Sequence, residues 1–252
     1  MSDSLSESDE IFMYISRCDH QNLTKHLIRN PSAIRTRTVS LEGKDMVVSP
    51  LHFACQTNST QILDTLLNNG ADIDEVIMCG GSPLCFAALL GKTEMVRYLL
   101  CRGARIGLAG PDGYNDLHGA ARKGHSEICK VLVEHGADIN CQHPITWDSA
   151  LSYAAAGGHH KTLLTLLSLG ANINNRAWTG FTPVAVACQN SHLANVVSLL
   201  QAGADTNLPD VQGAPPIHKA AQRDNVSVLR VLLEHGCDKN QVQRMNNAVW
   251  FI

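Results

Sequence analysis

The chain has 252 residues, of which 44% are hydrophobic, 17% are charged and only 5% are aromatic, and its formal net charge is −3. Because the apolar residues are mostly Ala, Leu, Val and Ile, this composition favours close-packed helices over a β-sandwich, whose strands prefer aromatic and β-branched residues. The near-neutral charge argues against nucleic-acid binding, and no apolar run approaches the roughly 18 residues of a membrane span.

The first ten residues form an acidic, Ser-rich segment that contains Asp3, Glu7, Asp9 and Glu10. We expect residues 1–10 to be a disordered tail. The segment is opposite in character to a secretory signal, which has a basic start and an apolar centre. A cytoplasmic or nuclear location is therefore expected.

Nine cysteines raise the question of disulfides and of zinc. An odd count in a long chain without an export signal argues against a disulfide framework. The chain has no Cys-x-x-Cys pair, so a zinc site is not expected. Most cysteines lie in apolar stretches such as Ala54-Cys55 and Ala187-Cys188, where a thiol serves as a small core residue.

Two short motifs recur along most of the chain, which indicates a repeat architecture. The first is Ser49-Pro50-Leu51-His52-Phe53-Ala54, and related hexapeptides follow at intervals of 33 or 34 residues. These hexapeptides begin at Ser49, Ser82, Asn115, Ser149, Thr182 and Pro215. The second motif contains two apolar residues, mostly Leu-Leu, followed three residues later by Gly, and begins at Leu66, Leu99, Leu132, Leu166, Leu199 and Leu232.

The two motifs strongly resemble the ankyrin repeat, which has a period of about 33 residues and the signature Thr-Pro-Leu-His-x-Ala. Six such units extend over residues 44–242. The resemblance implies an all-α ankyrin-repeat solenoid, built of helix-turn-helix units with projecting β-turn tips. The residue types fit this fold, because Ser or Thr caps the first helix, Pro suits its first position and Gly ends the second helix.

The two ends of the chain depart from the repeat. Residues 11–43 are predicted to form a divergent N-terminal repeat and loop, in which Phe12, Ile15, Leu23 and Leu27 occupy apolar repeat positions and 31–48 is a longer loop. Residues 243–252 are an incomplete C-terminal repeat or a tail. This end is consistent with a truncated or spliced form, or with a segment that folds back over the last repeat.

Two patterns suggest chemistry, but their positions favour a structural role. Gly91-Lys92-Thr93 resembles the end of a phosphate-binding loop, but Phe86 stands where that loop needs its first Gly. Twelve histidines suggest metal binding, yet eight of them recur at three repeat positions. These are His52, His118 and His218; His125, His159 and His192; and His135 and His235. We therefore expect no metal and no cofactor.

The family resemblance implies that a partner binds where turn tips and first helices line a concave groove. Eight residues at such positions are predicted to bind it: Leu89, Leu90, Tyr114, Arg122, Lys123, Trp147, Trp178 and Phe181. Trp147 stands where other repeats carry Gly, and a Trp adopts positive φ only with strain. This repeat also has one inserted residue, so we predict that the tip at 141–148 departs from the standard turn.

The asparagines of the following turns have two interpretations. Asn140, Asn174 and Asn207 each lie eight residues after a Leu of the second motif. The resemblance implies that asparagines in this pattern can be hydroxylated. The alternative is that they are turn residues whose side chains bond to the backbone.

These observations predict a monomeric scaffold or adaptor that binds a partner protein in the concave groove. An enzyme is not predicted, because the segments outside the repeats are too short for a catalytic domain. The alternative is a substrate-recognition subunit of a cullin-type ubiquitin ligase, since the resemblance extends to ankyrin adaptors that carry a C-terminal SOCS box. Nothing after Asn240 resembles that box.

Overall fold

A computed structural model describes residues 7–35, 37–41, 44–78 and 81–238. The predicted C-terminal segment at 243–252 and residues 1–6 of the predicted tail lie outside the described residues, whereas Glu7–Glu10 form the start of helix α1, so the prediction of a disordered tail was wrong for these four residues. The helices in the described part are α1 (Glu7–Ser16), α2 (His20–Arg29), α3 (Pro50–Ala54), α4 (Thr60–Asn68), α5 (Pro83–Leu89), α6 (Thr93–Cys101), α7 (Asp116–Lys123), α8 (Ser126–Glu134), α9 (Ala150–Ala156), α10 (His160–Ser168), α11 (Pro183–Gln189), α12 (Leu193–Gln201), α13 (Pro216–Gln222) and α14 (Val226–Glu234).

The segment that we predicted as a longer loop contains regular structure. A 3₁₀ helix at Pro31–Ile34 is followed by strands β1 (Arg37–Leu41) and β2 (Lys44–Val48). The strands form an antiparallel pair in which Arg37 lies opposite Val48 and Leu41 lies opposite Lys44. The prediction of an irregular loop was wrong here. The sequence does carry the signal, because two strand-like runs flank a two-residue connection that ends in Gly.

The chain divides into two compact units, Met1–Gly119 and Ala120–Ile252. In the first unit, α1 packs against α2 and α3, and the pairs α3–α4 and α5–α6 form helical hairpins. Ile15 and Leu23 of the divergent repeat are fully buried, whereas Ile28 is largely exposed.

The second unit consists of two layers of helices. The first helices α9, α11 and α13 lie side by side in one layer. The second helices α8, α10, α12 and α14 form the other layer, and each of α9, α11 and α13 packs against the second helix that follows it. This arrangement confirms the predicted helix-turn-helix units.

Local interactions explain where the helices begin and end. The hydroxyl groups of Ser82 and Thr182 accept hydrogen bonds from the N–H groups of Cys85 and Ala185, which caps α5 and α11. At the end of α4, Gly70 has a φ of 94°, and the next N–H, that of Ala71, donates to the carbonyl of Leu66. This is the left-handed helix ending that the Gly of the second motif predicted.

The buried cysteines behave as core residues. Burial raises the pKa of the Cys55, Cys129 and Cys188 thiols to about 12. These thiols are therefore uncharged at neutral pH and unreactive as nucleophiles. Among the described residues, no helix is both long and apolar enough to cross a membrane.

Candidate partner-binding surface

Three of the recurring histidines, His52, His159 and His192, bond to a carbonyl of a neighbouring repeat. His52 contacts the hydroxyl of Ser49 through Nδ1 at 2.7 Å and the carbonyl of Gly81 through Nε2 at 3.0 Å. In the second unit, His192 Nε2 lies 3.0 Å from the carbonyl of Ala156. In the described part of the chain, no three His, Cys, Asp or Glu residues are grouped as a metal site would require. Lys92, from the loop-like Gly91-Lys92-Thr93 trio, donates to Asn58.

Two of the three tips in the second unit are standard turns. Gly180 has a φ of 81°, and its N–H donates to the carbonyl of Ala177 at 2.8 Å. Gly213 has a φ of 82°, and its N–H donates to the carbonyl of Asp210 at 3.0 Å. In both tips the bond spans three residues, as in a β-turn.

The tip at 141–148 departs from this geometry, as predicted. The N–H of Trp147 donates to the carbonyl of His143 at 2.8 Å, a bond that spans four residues. The departure comes from the inserted residue, because Trp147 itself adopts the positive φ, 57°, that Gly has in the other tips.

The backbone of Trp147 is held in this conformation by its neighbours. Its carbonyl accepts hydrogen bonds from Gln142 Nε2 at 3.1 Å and from Asn175 Nδ2 at 3.2 Å. Asn175, which belongs to the next tip, is almost fully buried. Positive φ at such a residue costs about 1 kcal/mol, and these bonds offset that strain.

The three tips of the second unit are joined by backbone hydrogen bonds. The N–H of Trp178 donates to the carbonyl of Thr146 at 3.0 Å, and the N–H of Val211 donates to the carbonyl of Thr179 at 2.9 Å. The two bonds are equivalent, because Trp178 and Thr146 stand at the same repeat positions as Val211 and Thr179. The tips therefore form a continuous row whose backbone is fixed.

Large apolar side chains project from this row. The exposed fractions are 67% for Ile145, 54% for Trp147, 60% for Trp178 and 69% for Val211. We call these four residues the apolar strip. Ile145, Trp178 and Val211 stand at equivalent positions of successive repeats. The sequence alignment places Ile145 and Val211 at tip positions 33 residues from Trp178, but they are not among the eight residues predicted to bind a partner.

Phe181 differs from the two tryptophans because it is half-buried. Lys219 Nζ lies 4.7 Å from the centre of its ring, and the same ammonium is 2.7 Å from the carboxylate of Asp210. Burial opposes ionisation of Asp210. The hydrogen bonds from Lys219 and from the backbone of Ala214 and Gln212 outweigh it and hold the pKa of Asp210 below its usual value. Phe181 thus packs on an internal ion pair.

The remaining predicted residues lie in another tip or near the ends of first helices, which we call the inner helices. In the first unit, Leu90 is exposed, whereas Leu89 and Tyr114 are half-buried. Leu89 packs close to Gly119, since a Cβ atom added there would lie only 3.6 Å from its side chain. In the second unit, Arg122 and Lys123 are exposed at the end of α7.

Two of the three candidate hydroxylation sites, Asn140 and Asn174, accept hydrogen bonds from the next repeat. Asn140 Oδ1 accepts from the N–H of Asn172 at 2.8 Å, and Asn174 Oδ1 accepts from the N–H of Asp205 at 3.0 Å. Asp74 accepts from the N–H of Arg105 in the same way. The N–H of Asn207 donates to Asp205 within its own turn. These bonds favour the turn-residue interpretation, and hydroxylation stays a prediction.

Comparison with known proteins gives the family. A family profile described as ankyrin repeats (three copies) matches residues 51–143, 107–177 and 151–243. The crystal structure of the human ASB11 ankyrin repeat domain is similar, with a TM-score of 0.69 and 29% identity over 76% of this chain and 85% of that domain. A comparison with curated protein sequences gave no match. Because the profile spans more than half of its residues, the chain belongs to the ankyrin-repeat family.

Proposed function

We propose that the chain is a non-catalytic scaffold or adaptor whose second unit binds a partner protein. The partner would contact the apolar strip and the adjoining groove along the inner helices α9, α11 and α13. The single observation that carries this proposal is the exposure of Ile145, Trp147, Trp178 and Val211 along one hydrogen-bonded row of tips. Trp is among the residues that dominate binding energy at interfaces, whereas scattered exposed Leu or Val residues are common on any surface.

The backbone of the strip is already ordered before a partner arrives. Trp147 and Trp178 are fixed by hydrogen bonds on both sides of their tips. Binding would therefore lose little backbone freedom, which removes one of the costs of association. The positive φ of Trp147 fits the same proposal, because strained backbone conformations cluster at functional sites.

Affinity purification tests this proposal when wild type is compared with Trp178→Ala. Proteins captured by wild type should be depleted from the variant, and a captured partner should bind at least tenfold more weakly. Trp178 is exposed and its backbone is unaffected, so the melting temperature should stay near wild type. Leu164→Ala is the matched control, because Leu164 is an exposed apolar residue on α10, away from the tips.

An unchanged affinity in Trp178→Ala and in Trp147→Ala would show that the strip is not the binding site. Phe181→Ala was also predicted to weaken binding. Because its ring packs on Lys219, this variant should also lower the melting temperature. The melting temperature therefore distinguishes a residue that packs within the fold from one that only contacts the partner.

The role in a cullin-type ubiquitin ligase is the second candidate. The similarity to the ASB11 ankyrin repeat domain is compatible with it. Co-purification of elongin and cullin with the chain would favour this role, and a partner captured without them would favour a plain scaffold.

The proposal includes action in the cytoplasm or the nucleus. The described residues contain eight cysteines, all of them free thiols. Free thiols in such number are typical of a reducing compartment. Fractionation of cells that express a tagged chain would check the location.

A further inference from the structure

We infer that the partner presents an extended acidic segment, with carboxylates three to four residues from the apolar side chains that contact the strip. The inference rests on the proposed function, since it takes the apolar strip as the binding surface. Two features of the second unit support it: the charges at the ends of the inner helices and the distance between these charges and the strip.

The inner helices of the second unit present positive charge and almost no negative charge. The sequences of α9 and α11 contain no charged residue, and the only one in α13, Lys219, is buried against Asp210. At the carboxyl ends of α7 and α13 stand Arg122, Lys123 and Arg223, with Asp224 as the one acid beside them. A carboxylate-bearing segment is complementary to such a surface.

The hydrogen bond between His159 Nε2 and the carbonyl of Arg122, at 2.8 Å, places the end of α7 beside the loop that follows α9. The Trp147 tip lies at the other end of α9. Helix α9 has seven residues, so its length is about 10 Å. An extended peptide advances about 3.3 Å per residue, and three to four residues would therefore connect the strip with the cations.

The carboxyl end of α9 carries no charged residue. There Ala156 and Gly157 occupy the positions that Arg122 and Lys123 occupy at the end of α7, and that Gln189 and Asn190 occupy at the end of α11. Gly157 is exposed. A segment that runs from the strip along α9 therefore reaches the cations at the end of α7.

Affinity selection of a random twelve-residue phage-displayed peptide library on the immobilised full chain would test the inference. Selected sequences should carry Asp or Glu three to four positions from Leu, Phe or Trp. The double variant Arg122→Glu/Lys123→Glu should bind the selected peptides at least tenfold more weakly, and raised salt should weaken wild-type binding. Lys130→Glu is the control, because Lys130 is an exposed cation on the second helix α8.

Three results would overturn the inference: enrichment of basic or uncharged peptides, equal losses in the double variant and in Lys130→Glu, or dimerisation of the chain that Trp178→Ala abolishes. The proposed function fails separately. If the selected peptides lose affinity in Trp178→Ala but not in the charge variant, the strip is the binding site and the acidic class is wrong. If Trp178→Ala and Trp147→Ala leave binding unchanged, the proposed site itself is wrong.

Discussion

Replacement of Asp116 by Asn should stabilise the protein at neutral pH. Asp116 stands where most repeats carry Pro and is only 2% exposed. Its Oδ1 accepts from the N–H of Gly107 at 3.1 Å and of Leu117 at 3.2 Å, and Asn offers the same acceptor. Burial raises the pKa of Asp116 from 3.8 to about 6, although the hydrogen bonds from these N–H groups lower the pKa.

The raised pKa fixes the sign of the effect. Because the folded state binds the proton more tightly than the unfolded state, stability is lost as the pH rises from 3.8 to 6. Each pKa unit corresponds to about 1.4 kcal/mol, so the ionised carboxylate destabilises the fold by up to about 3 kcal/mol at pH 7. Asp116→Asn should therefore gain about 1–3 kcal/mol at pH 7, and the gain should shrink towards zero near pH 4.

Urea unfolding followed by circular dichroism at pH 7 and at pH 4 would measure this difference. Glu134→Gln is the control, because Glu134 is an exposed carboxylate on α8, and it should change stability by less than about 0.5 kcal/mol. A loss of stability in Asp116→Asn at pH 7, or a gain of equal size at both pH values, would refute the reasoning.

Three further changes have expected outcomes. Leu132→Ala or Leu166→Ala removes a fully buried side chain and should lower the free energy of unfolding by about 2–5 kcal/mol; a loss below about 0.5 kcal/mol in urea would contradict the assigned repeat register. Lys219→Ala leaves the buried Asp210 carboxylate without its cation and should lower stability by about 3–5 kcal/mol, more than exposed Lys130→Ala. Ser191→Gly removes the strain of a non-glycine residue at a φ of 61° and should raise the free energy of unfolding by about 0.5 kcal/mol. A lower melting temperature in this variant would show that Ser191 is not strained.

The repeat register could be predicted from the sequence because its determinants are local. The hydroxyl of Ser82 bonds to an N–H only three residues away, and the Gly70 ending closes a bond between Ala71 and Leu66. Residue type alone decides such interactions. The hairpin at 37–48 was missed for a different reason: it occurs once, so the repeat alignment gave no guide to it.

Exposure of the tip aromatics could not be predicted, because it depends on residues one repeat away. Trp178 and Phe181 are three residues apart in the same tip. Only Phe181 is partly covered, by Lys219 from α13. The sequence shows neither that Lys219 turns inward nor that Asp210 holds it there. The sequence therefore predicted both aromatics as binding residues, without distinguishing them.

The apolar strip is also separate from the interactions that stabilise the fold. The tips are held together by the backbone, through the bonds of Trp178 to Thr146 and of Val211 to Thr179, and these bonds are independent of side-chain type. The strip residues can therefore change without loss of the fold. Loss of two tryptophan anchors, at about 2 kcal/mol each, would lower affinity by roughly a thousandfold. A partner could thus be bound selectively by few side chains on a scaffold whose stability lies elsewhere.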